Sequence, residues 1–159
     1  MNSLPLHIII PVGLFIFAIV VIGIWNKLDK PKTKARVESM LTAEGLLYLT
    51  DDSFFVGEKS RGKNQPKRGY GIFAVTEKRV FWMSLISHVV MEIPRHLVLE
   101  ITAEQAFKTG RGITHKFIGK YGDRLLLVRF HDGTGNEDTW SWYVTDIDRV
   151  LELLTGEKQ

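Results

Sequence analysis

Residues 1–26 contain no Lys, Arg, Asp or Glu. Within them, "LHIIIPVGLFIFAIVVIGIW", Leu6 to Trp25, is an uncharged run with no polar face. No other feature limits the fold as strongly, because a helix that is apolar all round must be covered all round. At ~1.5 Å per residue, about 20 residues make a helix of ~30 Å, the hydrocarbon thickness of a bilayer. Pro11 and Gly13 are better tolerated in such a helix than in a soluble one. Trp25 stands where an interfacial aromatic belongs. A cleaved signal peptide would need a basic segment before the run and a small-x-small site after it. Neither occurs, and "NKLDKPKTKAR" follows instead. The expectation is one retained transmembrane anchor over 1–26, with His7 near its outer end as an interfacial residue.

Charge gives the anchor a direction. All nearby basic residues lie on its C-terminal side, so the positive-inside rule predicts an outward N-terminus. Residues 27–159 are then expected on the cytoplasmic face of the plasma (inner) membrane. The net charge of +3 is unevenly spread. Residues 27–36 carry Lys27, Lys30, Lys32, Lys34 and Arg36 against Asp29 alone. Residues 58–68 carry Lys59, Arg61, Lys63, Lys67 and Arg68 against Glu58 alone. Each segment holds +4, leaving −5 for the rest of the chain. Such patches favour anionic partners: a lipid surface, phosphate groups or nucleic acid. The first is expected as a basic juxtamembrane linker, 27–41, contacting the membrane surface. The domain proper is expected over 42–159, long enough for one core.

That domain reads as strands followed by one helix. In "VESMLTAEGLLYL", Val37, Met40, Leu41 and, after Gly45, Leu47 suggest a short helix leading into a strand. Strands are then predicted in "SFFVGE", "GIFAVT", "RVFWMSL", "VVMEIP", "LVLEIT", "THKFIG", "RLLLVRF" and "TWSWYVT", segments rich in β-branched and aromatic residues. Turn chemistry separates them, "EK", "KYGD" and "HDGTGNED" among it. The period changes in "TDIDRVLELLTG", where Ile147, Val150, Leu151 and Leu154 form one helix stripe. Thr145 is the expected N-cap and Gly156 the expected stop. The predicted fold is mainly β: about seven antiparallel strands in an orthogonal sandwich or partly open barrel, capped by the C-terminal helix.

Gly69 and Gly71 in "RGYGIF" invite comparison with a phosphate-binding loop. Such a loop follows a strand and opens a helix. These glycines follow a polar, Pro-containing stretch and open a β-rich run, so they are read as relief of crowding at a strand start or as room for another backbone.

The order of motifs carries a resemblance. "GIFAVTEKRVFWMSL" is similar to the strand–"LTxxRL"–strand hairpin of GRAM and bacterial pleckstrin-homology-like (PH-like) domains, with Thr76, Lys78 and Arg79 in the turn. "VVMEIPRHLVLEI" resembles the next strand, ending in "IP", and the short strand after it: Ile93 and Pro94 match, and Leu97, Leu99 and Ile101 fill the apolar positions. "LLLVRFHDG", "WSWYV" and the terminal helix resemble the closing elements. The likeness covers roughly residues 42 to 155. It implies a PH-like fold that recognises anionic headgroups through a basic inter-strand loop, or docks proteins. Lys59, Arg61, Lys63, Lys67 and Arg68 would serve the first role. "EKSRGKNQPKRG" and "EQAFKTGRGITHK" depart from the pattern.

Reactive chemistry has little footing. With no cysteine, disulfides, thiolate catalysis and Cys-ligated zinc are excluded. His7, His88, His96, His115 and His131 show no metal-pair spacing. In "HDGTGNED", Asn136 stands where an EF-hand loop requires Gly, so a hairpin turn is expected there. Asp51 and Asp52 are read as a loop or cap. Trp82, Trp140 and Trp142 lie inside predicted strands, apart from the basic loop, and are assigned to the core rather than to base stacking. No catalytic residue, metal or cofactor is expected, and no nucleic acid. The predicted role is a non-catalytic, single-pass membrane protein whose cytosolic domain binds anionic lipid headgroups, docks a protein partner, or both. The alternative is a structural subunit of a larger membrane complex.

Overall fold

The computed structural model describes residues 30–58, 68–105 and 120–156. The anchor expected over 1–26, Lys27 and the strand expected in "THKFIG" lie outside them. Among the described residues, no helix is long and apolar enough to cross a membrane.

Helix α1 is described over 30–42 and so includes most of the stretch read as a linker. Val37 and Leu41, one turn apart, are both buried, while Met40 is exposed. Gly45, at φ +74°, turns the chain into the sheet. Seven strands follow: β1 Leu46–Glu58, β2 Gly69–Thr76, β3 Arg79–Ser84, β4 Val90–Pro94, β5 Val98–Gln105, β6 Arg124–His131 and β7 Glu137–Val144. Helix α2, Ile147–Thr155, closes the body. Every ladder is antiparallel, in the order β4-β3-β2-β1-β7-β6-β5.

This order forces a bend. The two outermost strands, β4 and β5, are joined by only the 3₁₀ turn Arg95–Leu97, yet they are not paired with each other. An open ladder whose ends lie three residues apart along the chain has to curl back on itself. Strand β1 carries the bend. It is 13 residues long and pairs with β2 through Phe55 and with β7 from Ser53 onward. Irregularities between Thr50 and Ser53 and between Phe55 and Gly57 mark the passage. They also reset the alternation of faces: Tyr48 and Phe55, an odd number of residues apart, both pack into the main core.

That core holds Phe55, Phe73, Trp82, Ile93, Leu126, Val128 and Trp142, with Val150, Leu151 and Leu154 of α2 over it. Strand β5 contributes Val98, Ile101 and Ala103 at its margin. Trp82 and Trp142 are thus core residues, and Trp140 is half-buried beside them. The opposite face carries two smaller clusters. Ile72, Ala74 and Phe81 pack with Val37 and Leu41. Val56, Leu125 and Tyr143 pack with Phe54, Tyr121 and Leu127.

The turns largely follow their sequence signals. Thr76 Oγ1 accepts from the amides of Lys78 and Arg79 at 3.2 and 3.0 Å, which shapes the β2–β3 turn. Asp132 Oδ1 accepts from the amides of Thr134 and Asn136 at 2.8 and 2.9 Å in the β6–β7 turn. Arg79 bridges Glu44 and Glu92, tying the α1–β1 turn to β3 and β4. Two expectations are corrected. The N-cap of α2 is Asp146, whose carboxylate accepts from the Arg149 amide, because Thr145 Oγ1 is donated to Asp52 O at 3.0 Å. Asp51 and Asp52 lie within β1, at its irregularity, rather than in a loop or cap.

Two phenols, half-buried Tyr48 and buried Tyr143, set an alkaline limit on this fold. Burial, with the nearby Asp146 charge, pushes Tyr48 up to about 12, and burial alone does the same to Tyr143. Both exceed the ordinary value of 10, so folding favours the neutral phenols. Their contribution is complete below pH 10 and lost as pH climbs through about 12. Thermal melts across this window should show a falling midpoint, with a shallower fall in Tyr143→Phe, since phenylalanine keeps the ring and has nothing to ionise.

Candidate functional site

The basic segments fall in two places. Lys30, Lys32, Lys34 and Arg36 are on α1, where Lys32 and Arg36 are exposed and Lys30 and Lys34 half-buried. Lys59, Arg61, Lys63 and Lys67 lie outside the described residues. The sequence they occupy joins the end of β1 to the start of β2. Arg68, at the edge of the described region, is exposed, and its guanidinium Nε lies 3.8 Å from where a Cβ on Gly57 would sit.

Strand register identifies what neighbours this junction. Phe55 faces Gly69 and Phe54 faces Tyr70 on β1 and β2. Gly71 faces Ser84 on β3, and the Leu85 amide donates to Tyr70 O at 3.0 Å. The start of β2 therefore lies against the tip of the β3–β4 hairpin, residues 85–89. Ile86, Val89 and Val90 at that tip are strongly exposed, as is Tyr70. These apolar positions were not singled out from sequence, where "VVMEIP" reads as a strand start. The usable signal was "LISHVV", apolar residues where a turn calls for polar ones.

A second cation sits beside Tyr70. Lys120 Nζ lies 5.6 Å from the Tyr70 ring centroid and 4.9 Å from that of Tyr121. It pairs with Asp52, which also accepts from the Tyr121 hydroxyl at 2.7 Å. Burial and that hydrogen bond push the Tyr121 phenol well above its ordinary value. Asp52, read from sequence as a loop or cap residue, is thus the anchor of a Lys–Tyr cluster.

Gly71 has a structural role. A Cβ there would sit 2.2 Å from Trp82 Cε2. The glycine lets the Trp82 indole lie on the β2 backbone, as expected for relief of crowding and unlike a phosphate cradle.

A hollow among the described residues lies between β5 and the C-terminal end of α2. It measures about 260 Å³ and is lined by Arg95, Val98, Leu99, Glu100, Ile101, Leu154 and Thr155. Its two charged residues are already engaged: Arg95 donates to Leu153 O and Leu154 O at 3.3 Å, and Glu100 pairs with Arg129 at 2.9 Å. Among the described residues, no group of three or more His, Asp or Glu side chains is placed to hold a metal ion.

No protein-family profile matches the chain, and no curated protein matches it. Among solved structures, the chain is similar to a crystal structure of the C-terminal domain of an unknown protein from Leishmania infantum. The two share 14% identity at a TM-score of 0.41, over 76% of this chain and 90% of that one. A likeness of that size carries no argument about fold or role.

Proposed function

We propose that the chain is a non-catalytic, single-pass membrane protein. Its N-terminus faces outward, and a cytosolic PH-like domain contacts anionic lipid headgroups through the segment joining β1 to β2. The observation that carries this reading is the charge: ten basic and two acidic residues in two short segments, one directly after an apolar run of bilayer length. Two features support the PH-like part. The strand order β4-β3-β2-β1-β7-β6-β5, with a helix after β7, suits a seven-stranded bent sheet of that kind. The motif order in the sequence points the same way. A tethered domain meets the surface at high effective concentration. Each basic side chain near an anionic leaflet then contributes about 1 kcal/mol, fading within a Debye length.

Binding of a chain starting at Val37 to vesicles of phosphatidylcholine and phosphatidylglycerol tests the lipid part, because the members of all three buried clusters lie at or after that residue. The triple change Lys63→Glu, Lys67→Glu, Arg68→Glu is expected to weaken binding by about a hundredfold or more, from ~1 kcal/mol per basic residue lost. The unaltered chain should lose affinity as salt rises. Equal, salt-insensitive binding by both forms, or none by either, rejects headgroup contact.

A specific observation favours a second role, protein docking. Strands β4 and β5 each end the ladder with one edge unpaired among the described residues. An open edge is a template for strand addition. A subunit of a larger membrane complex would use such an edge, and stoichiometric co-purification of a partner would favour it.

A further inference from the structure

We propose that the tip of the β3–β4 hairpin is a membrane wedge: Ile86, Val89 and Val90 enter the boundary between headgroups and acyl chains of an anionic bilayer. This rests on the membrane-contact reading above and adds an apolar element that the basic residues do not supply.

The tip is firmly built. The Ser84 amide donates to Val89 O at 3.0 Å, and the His88 amide donates to Ser84 O at 3.1 Å. The Ser84 hydroxyl accepts from the amides of Ile86 and Ser87 at 3.3 and 3.1 Å. His88 takes φ +54°, a region that few non-glycine residues adopt. These bonds satisfy the turn from within and leave Ile86 pointing outward, 77% exposed, with Val89 and Val90 at 45% and 48%. Of seven strongly exposed large apolar side chains among the described residues, four are these three and the adjoining Tyr70. Single exposed apolar residues are ordinary on a protein surface, but a cluster of them marks a contact.

The surrounding charge selects the occupant. Residues 85–90 contain no acidic side chain. Arg68, two residues before Tyr70 in sequence, is exposed, and Lys120, paired with Asp52, lies over the Tyr70 ring. An apolar point with no carboxylate of its own, packed against a strand that follows a segment of net charge +4, complements a surface that is anionic outside and hydrocarbon beneath, which describes a bilayer leaflet. A protruding tip also suits a deformable partner better than one that must offer a matching hollow. The apolar run of the same chain keeps such a leaflet within reach.

The absence of cysteine makes the test direct. Ile86→Cys gives a single attachment point for a nitroxide in the full-length chain, reconstituted into vesicles of phosphatidylcholine and phosphatidylglycerol. Lys78→Cys, exposed at the other end of β3, is the reference. Collision of the label with oxygen and with a water-soluble nickel chelate is read by electron paramagnetic resonance. The expected result is a severalfold higher oxygen-to-nickel ratio at 86 than at 78. Equal, water-like ratios in a chain that resists carbonate extraction overturn the wedge and leave the membrane reading standing. A label at 86 shielded from both reagents indicates a protein or a second copy over the tip, and also overturns it. A chain that carbonate strips from the vesicles overturns the membrane reading, and the wedge with it.

Discussion

Replacing Gly71 by alanine should destabilise the body by about 3 kcal/mol or more, at the upper end of what overpacking does. The added methyl would meet Trp82 Cε2 at 2.2 Å, Nε1 at 2.3 Å and Cζ2 at 2.5 Å. Neither side can yield easily. Trp82 is 1% exposed and packs against Phe55 at 5.3 Å between ring centroids. The Gly71 backbone is paired with Ser53 on one side and Ser84 on the other, and its carbonyl accepts from the Ser53 hydroxyl at 2.7 Å. For a body of this size, the thermal midpoint should drop by on the order of 12 °C or more. Gly133→Ala is the matched control, because no atom lies within 4 Å of its added Cβ. In a Trp82→Val background, Gly71→Ala should have a much smaller effect, a coupling that a double-mutant cycle reads directly. An equal effect in both backgrounds would place the strain elsewhere.

Trp142→Ala should be at least as damaging, about 3 to 5 kcal/mol, because it opens a large cavity at the centre of the main core. Trp142 is 1% exposed. Its ring lies 5.7 Å from that of Phe55 on β1, 5.6 Å from Phe73 on β2 and 6.0 Å from Trp140 on its own strand. It thus joins the two halves of the bent sheet. A domain with ordinary stability of about 5 to 15 kcal/mol would be left marginal at 37 °C or unfolded. Trp142→Phe should be far milder. It keeps an aromatic plate and removes an indole N–H that has no hydrogen-bond partner among the described residues. Denaturant unfolding with circular dichroism separates the two variants. If Trp142→Ala were as mild as Trp142→Phe, the bent-sheet core would be wrongly drawn.

These two residues show what was legible from sequence. Seven of the predicted strands coincide with the seven observed, because β-branched and aromatic runs between turn residues report a half-buried pleated surface directly. The helix stripe Val150, Leu151 and Leu154 was legible for the same kind of reason. The continuity of β1 was not: a strand is expected to begin after Gly45 and another at Ser53, and Thr50, Asp51 and Asp52 between them form a polar run that reads as a loop or cap. In the fold, Ser53 is buried and bonded to Gly71, and Asp52 is held by Lys120 and Tyr121. Their partners lie 18 to 69 residues away, and no local pattern encodes them. The cap of α2 slipped by one residue for a similar reason, since Thr145 is used by Asp52. Pairing order is non-local too: nothing near β1 announces that it joins β2 to β7.

The candidate site divides along the same line. Basic segments are visible in composition alone. The apolar hairpin tip is not, because whether Ile86, Val89 and Val90 face inward or outward is decided by the hydrogen bonds of Ser84 and the backbone of His88. Gly71 was readable as a point of close approach, but Trp82 lies diagonally across the β2–β3 ladder and emerges only once register is known.

Membrane residence carries the functional account, and the full-length chain bearing Lys78→Cys tests it in one preparation. Expressed in a bacterial host, the protein should stay with the membranes in alkaline carbonate. Its single thiol should react with an impermeant maleimide only after the cells are broken. Recovery of the chain in the carbonate supernatant, or labelling in intact cells, would contradict an anchored body on the cytoplasmic face.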